Sequence, residues 1–298
     1  MHTPFPYFGE TLSLLTAIVW ALAVVLFKKS GETVHPLALN LFKNTFASLL
    51  FIPTMLIFKE TLFRPVPAMD YILLILSGFI GIGIGDSLFF KSLNLLGAGL
   101  SAIVESLYSP FIIALSMLWL GERLTVLQII GAIMVIAAVL TTIQVRKNRQ
   151  LERKHLLRGI LYGVIATAAM AVGIVMIKPL LNRSPLLWAT EVRLLGAAAT
   201  LIVITIIHPQ RRKIISSLSS KKSWIYMLSG SFLGAYLAMF IWLAGMKYAN
   251  VSIASALNQT STLFIFIFAS IMLHEAITAR KVTALILAVF GAAIVFLG

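Results

Sequence analysis

Apolar runs long enough to cross a membrane recur from one end of this chain to the other, and no other feature restricts its fold so strongly. Spanning roughly 30 Å of hydrocarbon at about 1.5 Å per residue takes about 20 helical residues. Such runs fall near residues 10–27, 37–58, 71–90, 98–119, 125–145, 159–177, 185–207, 224–246, 251–272 and 279–298. Lipid offers no hydrogen bonds, so backbone amides and carbonyls must be satisfied within a helix or around a closed barrel. The runs show no period-two alternation, which favours helices. The expected fold is all-α and membrane-integral, with ten transmembrane helices. Composition agrees, with 60% hydrophobic and 11% charged residues among 298 and a mean hydropathy of +0.99. The first residues lack the basic start of a signal peptide, so the first run is expected to be retained.

The net charge of +14 does not point to nucleic acid. The basic residues lie mostly in short loops between apolar runs, without the aromatic neighbours of a base-stacking platform. With no cysteine in the chain, thiolate metal sites, disulfides and cysteine nucleophiles are excluded. His2, His35, His155, His208 and His274 fall at loops or helix ends without metal-ligand spacing, so neither a metal nor a cofactor is expected.

Self-similarity narrows the architecture further. Shifted by 153 positions, Gly121-Glu122-Arg123-Leu124-Thr125 meets His274-Glu275-Ala276-Ile277-Thr278, Ser77 and Gly81 meet Gly230 and Gly234, and Gly85 meets Ala238. Near the start of each half the offset is about 150, pairing Gly9 with Gly159, Lys28 with Lys178 and Lys43 with Arg193. Residues 1–150 and 151–298 therefore read as two five-helix units. An odd number of crossings sends the second unit in from the opposite face, giving inverted repeats around a central cavity, a geometry characteristic of transporters.

Loop charge sets the expected orientation. One face collects sixteen basic residues, among them Arg146, Lys147, Arg149, Arg153, Lys154, Arg158, Arg211, Arg212, Lys213, Lys221 and Lys222, against six on the other: Lys59, Arg64, Arg123, Lys178, Arg183 and Lys247. With the basic face cytoplasmic, both termini lie outside.

The early Trp20, the Gly-Glu-Arg-Leu-Thr sequence at 121–125, its His-Glu-Ala-Ile-Thr echo at 274–278 and ten spans in two halves resemble the EamA-like branch of the drug/metabolite transporter superfamily over essentially the whole chain. The resemblance implies a ten-helix carrier in the cell membrane, with a cavity between its halves, moving small metabolites, amino acids or drugs, often outward. It also implies termini in the cytoplasm, opposite to the loop charges.

Ionisable residues at membrane depth are functional candidates because burying an unpaired charge there is costly. Glu105 stands near the middle of helix four and aligns with Asn258 in helix nine. Tyr108 and Ser109 follow the first by three and four residues, and Ser261 and Thr262 follow the second. That spacing gives each helix a polar face. Pro110 is expected to free the carbonyl of Ser106, while Leu263 at the equivalent position leaves helix nine unbroken. Asp86, Lys43 and Asn44 are expected at the depth of Glu105, and Glu191 with Arg193 forms the charged position of helix seven. The competing role for these charges is pairing that only fixes helix packing. Trp20, Tyr236 and Trp242 are candidates for an aromatic wall or for interface anchors. Gly81, Gly83 and Gly85 fit a small packing face better than a phosphate loop, since no Lys-Ser/Thr follows. Glu122 and Glu275 end helices and read as structural, and Thr125 with Gln128 fits a capping box.

The reading is a secondary carrier without enzymatic activity, whose partners are a small-molecule substrate, membrane lipids and, as a candidate coupling ion, protons. No Walker sequence supports a primary pump, and no Gly-x-Ser-x-Gly or paired metal ligands support an intramembrane enzyme. A lipid scramblase or a structural membrane protein is the alternative.

Overall fold

The computed structural model describes residues 7–120, 125–143, 150–181, 183–248 and 257–297. Gly121–Leu124 of the duplicated motif, with Glu122 and Arg123, and Arg146, Lys147 and Arg149 lie outside this set. The described residues form helices α1 (Phe8–Ser30), α2 (Pro36–Ile57), α3 (Ala68–Ser77), α4 (Ser87–Leu96), α5 (Ala98–Glu105), α6 (Tyr108–Leu120), α7 (Val126–Ile143), α8 (Gln150–Val175), α9 (Lys178–Leu181), α10 (Leu186–Ile207), α11 (Arg211–Ser217), α12 (Lys221–Gly230), α13 (Met239–Tyr248), α14 (Ser261–Leu273) and α15 (Ala279–Leu297). Two π-helical segments, Gly78–Asp86 and Ser231–Ala238, join α3 to α4 and α12 to α13.

Among the described residues seven helical runs are long and apolar enough to cross a membrane: Phe8–Ser30, Pro36–Ile57, Ala68–Leu96, Ala98–Trp119, Arg153–Val175, Leu186–Ile207 and Lys221–Gly245. Val126–Thr141 and Leu257–Leu273 are apolar but shorter, so seven of the ten expected crossings meet this measure. The chain is all-helical among the described residues and multi-pass by length and composition. Leu56, Leu118, Ile133, Ile207 and Phe290 are exposed on the outside while Asn40, Lys43, Asn44 and Glu191 are buried within. That distribution suits a hydrocarbon surround.

Small residues set how closely the helices approach. A Cβ on Gly81 would meet Gly173 Cα of α8 at 3.5 Å, and one on Gly234 would meet Ala23 Cβ of α1 at 2.9 Å. The two contacts correspond, since Gly234 lies 153 positions after Gly81 and Gly173 lies 150 after Ala23. Larger packing follows the same pairing. α8 lies on α4 and the first π segment, and α1 lies on α13 and the second. α10 touches the first π segment and α2 the second, while α2 with α10, α5 with α14 and α7 with α15 pack on one another.

The helix break expected at Ser106 is present between α5 and α6, with Pro110 in the first turn of α6, where a missing N–H matters little. The expectation that helix nine runs unbroken is corrected: helical Leu257–Gln259 is separated from α14 by a turn at Thr260. Proline is not needed there, because Thr260 Oγ1 donates to the Leu257 carbonyl at 2.5 Å, as Ser106 Oγ donates to Ile103 at 2.6 Å. Hydroxyl back-bonding competes with the helical ladder and bends it. The capping box also forms, Thr125 N donating to Gln128 Oε1 and Gln128 N to Thr125 Oγ1, both at 3.1 Å.

Two predictions concern this packing. At the crossing of α7 and α15 a Cβ on Gly131 would stand 2.5 Å from the Gly291 carbonyl, so Gly131→Val should destabilise by about 1–3 kcal/mol through overpacking, read as a lower melting temperature in detergent. At the start of α2, His35 Nδ1 accepts from Leu37 N at 3.3 Å, and the His35 backbone N–H donates to Ser217 Oγ at 3.1 Å. Burial first, then the positive charges of Lys91, His208 and Lys213, holds the His35 imidazole below the usual histidine range. A histidine whose pKa falls on folding adds stability above its unfolded pKa of about 6.5 and loses it as pH drops through the folded value. Between about pH 7 and about pH 5 the melting temperature should fall further in wild type than in His35→Asn, which keeps a capping acceptor.

Candidate functional site

The buried face of α2 carries Asn40, Lys43, Asn44 and Ser48, spaced so that one helical side presents all four. That face meets the first π segment, whose wider turns leave carbonyls short of helical partners. Asn40 Nδ2 donates to the carbonyls of Ile82 and Gly83 at 2.9 and 3.2 Å and to Ser87 Oγ at 3.0 Å. Asn44 Nδ2 steadies Asn40 through its carbonyl at 2.8 Å and its Oδ1 at 2.7 Å. Asp86 closes the segment and forms an ion pair with Lys43, whose ammonium also stands 5.4 Å from the centre of the Phe90 ring. One turn further along α2, Ser48 donates to Glu191 Oε1 of α10.

The break between α5 and α6 supplies the facing groups. Glu105 ends α5, Tyr108 opens α6, and both are half-buried. Glu105 stands in electrostatic range of Asp86, and Tyr108 in range of Arg193, Glu105 and Asp86. The α10 backbone reaches the cluster because residue 78 is glycine, where a Cβ would lie 2.1 Å from the Arg193 carbonyl oxygen. Lys43, Asp86, Glu105, Tyr108 and Arg193 thus gather from four helical spans. Among the described residues Glu105 makes no ion pair, and the side chain of Arg193, also half-buried, makes neither a hydrogen bond nor an ion pair, its Nε being closed off from water.

Other expected residues sit at varying distance from this cluster. Ser109 Oγ accepts from Gln259 Nε2 at 2.6 Å, which ties α6 to the chain just before α14, and Thr262 is buried in α14. Asn258 is half-buried, with Oδ1 unpartnered among the described residues. Tyr236, in the second π segment, bonds Thr54 at 2.8 Å through its hydroxyl and sets its ring edge-on to Phe51 at 5.3 Å. It therefore meets α2 nearly three turns beyond Lys43. Trp20 packs half-buried against the apolar core that includes Val24 and Phe27. The sequence reading missed Asn40 and Ser48, although each lies one helical turn from Asn44.

Carboxylates also hold the two ends of the bundle. Glu275 accepts from Ala98 N at 2.6 Å and Gly99 N at 3.2 Å, capping α5 from the far end of α14. Lys28 donates to the Asn94 carbonyl beside it at 2.9 Å. At the opposite end Glu60 accepts from Trp188 N at 3.1 Å, and Asp70 pairs with Arg183 at 2.6 Å. Negative groups at helix starts satisfy orphan amides and complement the dipole, in keeping with the structural role expected of Glu275.

Breaking one side of the Lys43–Asp86 pair leaves a buried charge uncompensated. Asp86→Asn should destabilise the protein by about 3–5 kcal/mol, whereas Lys43→Met combined with Asp86→Leu should recover most of that loss. Thermal melts of the two singles and the double in detergent check this, and additive losses would count against the pair.

Similarity to known proteins covers almost the whole chain. An uncharacterized transporter of Archaeoglobus fulgidus is 24% identical over 274 residues, which are 92% of each chain. A crystal structure 21% identical in sequence shares the fold, with a TM-score of 0.69 over 96% of this chain and 95% of that one. The EamA-like transporter family matches twice, over residues 7–144 and 157–297. Buried ion chemistry inside an apolar multi-pass bundle, with a doubled match of this extent, makes the chain a member of the EamA-like transporter family.

Proposed function

We propose that the chain is a secondary carrier that exports small organic solutes across the cell membrane by alternating access. Ten transmembrane helices, in two inverted five-helix repeats, rock about a polar cavity between them. The observation that carries this reading is the pairing of packing contacts at a constant offset. Gly78–Asp86 and Ser231–Ala238 are both π-helical and start 153 residues apart. Each is flanked by two helices of the other half, α8 and α10 on the first and α1 and α2 on the second, so that α2 and α10 exchange places, as do α1 and α8. Two equivalent packings of this kind can face opposite sides in turn. Wide helical turns supply local irregularity at the site, a common use of π segments.

In this reading Lys43, Asp86, Glu105, Tyr108 and Arg193 line the cavity, with Asn44, Ser109, Asn258 and Thr262 adjoining and Trp20 and Tyr236 on its aromatic flank. Glu105 contacts the solute or a coupling proton. A carboxyl at membrane depth without an ion-pair partner is a standard component of proton relays. Comparing metabolites inside and outside cells with and without the protein identifies the solute. In proteoliposomes, Glu105→Gln should then reduce transport of that solute at least about tenfold, about 1.4 kcal/mol in the rate-limiting barrier. Unchanged transport by Glu105→Gln removes the role given to it here.

Loop charge supports a cytoplasmic position for the face bearing Arg211, Arg212, Lys213, Lys221 and Lys222. The chain has no cysteine, so single exposed cysteines report sidedness directly. An impermeant maleimide added to whole cells should label Thr61→Cys and spare Ser219→Cys, and the reverse pattern would invert the topology.

A further inference from the structure

We infer that Arg193 is an anion subsite that takes the carboxylate of the carried solute, an inference that rests on the carrier reading above. Of the 24 Lys and Arg residues, all but two lie at or near the ends of spans. The exceptions are Lys43 and Arg193, which align at the repeat offset of about 150. Their surroundings differ in one respect. Lys43 has Asp86 as its counter-ion, but the residue 153 positions after Asp86 is Met239. The duplication that would have given Arg193 an acid therefore gives it a thioether.

Among the described residues no other carboxylate pairs with Arg193. Glu191 is only two residues away, but side chains at that spacing leave a helix on different sides, and Glu191 is bonded to Ser48. Asp86 lies in electrostatic range of Arg193 but is paired with Lys43. Tyr108 is the other group in range. Among the described residues the guanidinium has no hydrogen bond and no ion pair, and Nε is buried and unpartnered. The residue as a whole is half-buried, and of its guanidinium nitrogens only Nε is both enclosed and unpartnered.

An uncompensated charge at membrane depth is expensive, and guanidinium matches a planar carboxylate through two parallel hydrogen bonds. A monoanion would neutralise Arg193 without disturbing Lys43 and Asp86. A dianionic phosphate would bring excess negative charge toward Asp86 and Glu105. The chemistry shared by the possible occupants is an oxoanion, from a soluble carboxylate or from a phospholipid headgroup.

Calorimetric titration of the purified full-length protein in an uncharged maltoside detergent tests this with benzoate and its neutral isostere benzamide. Wild type should bind benzoate at least about tenfold more tightly than benzamide, Arg193→Gln should lose that preference, and Arg193→Lys should keep part of it. Unliganded Arg193→Gln should melt no lower than wild type, because it removes a charge that no hydrogen bond or ion pair among the described residues compensates. Preference retained by Arg193→Gln, failure of wild type to prefer benzoate, or a lower melting point of unliganded Arg193→Gln would each overturn the assignment. Repeating the titration in nanodiscs of phosphatidylcholine and of phosphatidylglycerol separates the two anion sources. Preference in both supports a soluble carboxylate, and its loss in phosphatidylglycerol alone assigns the fork to a headgroup and overturns the solute. Flux into proteoliposomes reports separately on the carrier reading: discrimination by Arg193 with no flux of any solute would remove the carrier and leave the anion site.

Discussion

Hydrocarbon satisfies neither hydrogen bonds nor charges, and that constraint organises the rest of the molecule. Backbone groups close on themselves in helices, many apolar side chains turn outward, and the polar groups of α2 are received by other protein groups. The inner face of α2 shows this most clearly. Asn40 is buried because the wide turns at Ile82 and Gly83 present carbonyls to it, and Lys43 because Asp86 ends the same segment. One irregular stretch of backbone thus accounts for both the amide and the ammonium.

The two halves use this constraint unequally. Matching contacts, such as Gly81 on Gly173 and Gly234 on Ala23, hold the helices in corresponding arrangements, yet the charges do not correspond. Asp86 has Met239 opposite it and Glu105 has Asn258. Small residues at corresponding positions serve the packing in both halves, whereas the polar residues at corresponding positions differ. The break in the helix ending at Glu105 obeys the same division. It recurs at Thr260, whose hydroxyl bonds the carbonyl three residues back as that of Ser106 does, so the bend is shared although Pro110 is not.

Much of the architecture was legible in the chain because it follows from local quantities. Length and hydropathy of the apolar runs set the helices, the repeat offset paired Lys43 with Arg193, and the Thr125–Gln128 cap needed only adjacent residues. The count of crossings was less secure, since Val126–Thr141 and Leu257–Leu273 are apolar but short. Helix nine contains no proline, and a back-bonding threonine has no composition signal of its own.

From the sequence alone came an all-helical membrane chain, its doubled pattern and the candidate charges, since each depends on spacing along one helix or on the energy of placing a residue type in lipid. Only the tertiary structure decided which charges are compensated. Lys43 and Asp86 are 43 residues apart and pair, Glu191 turns to Ser48, and Arg193, with a carboxylate two residues away, has no partner among the described residues. Pairing depends on which faces of distant helices meet, and that is set by the glycine crossings and wide turns that bring α2, α10 and the third span together.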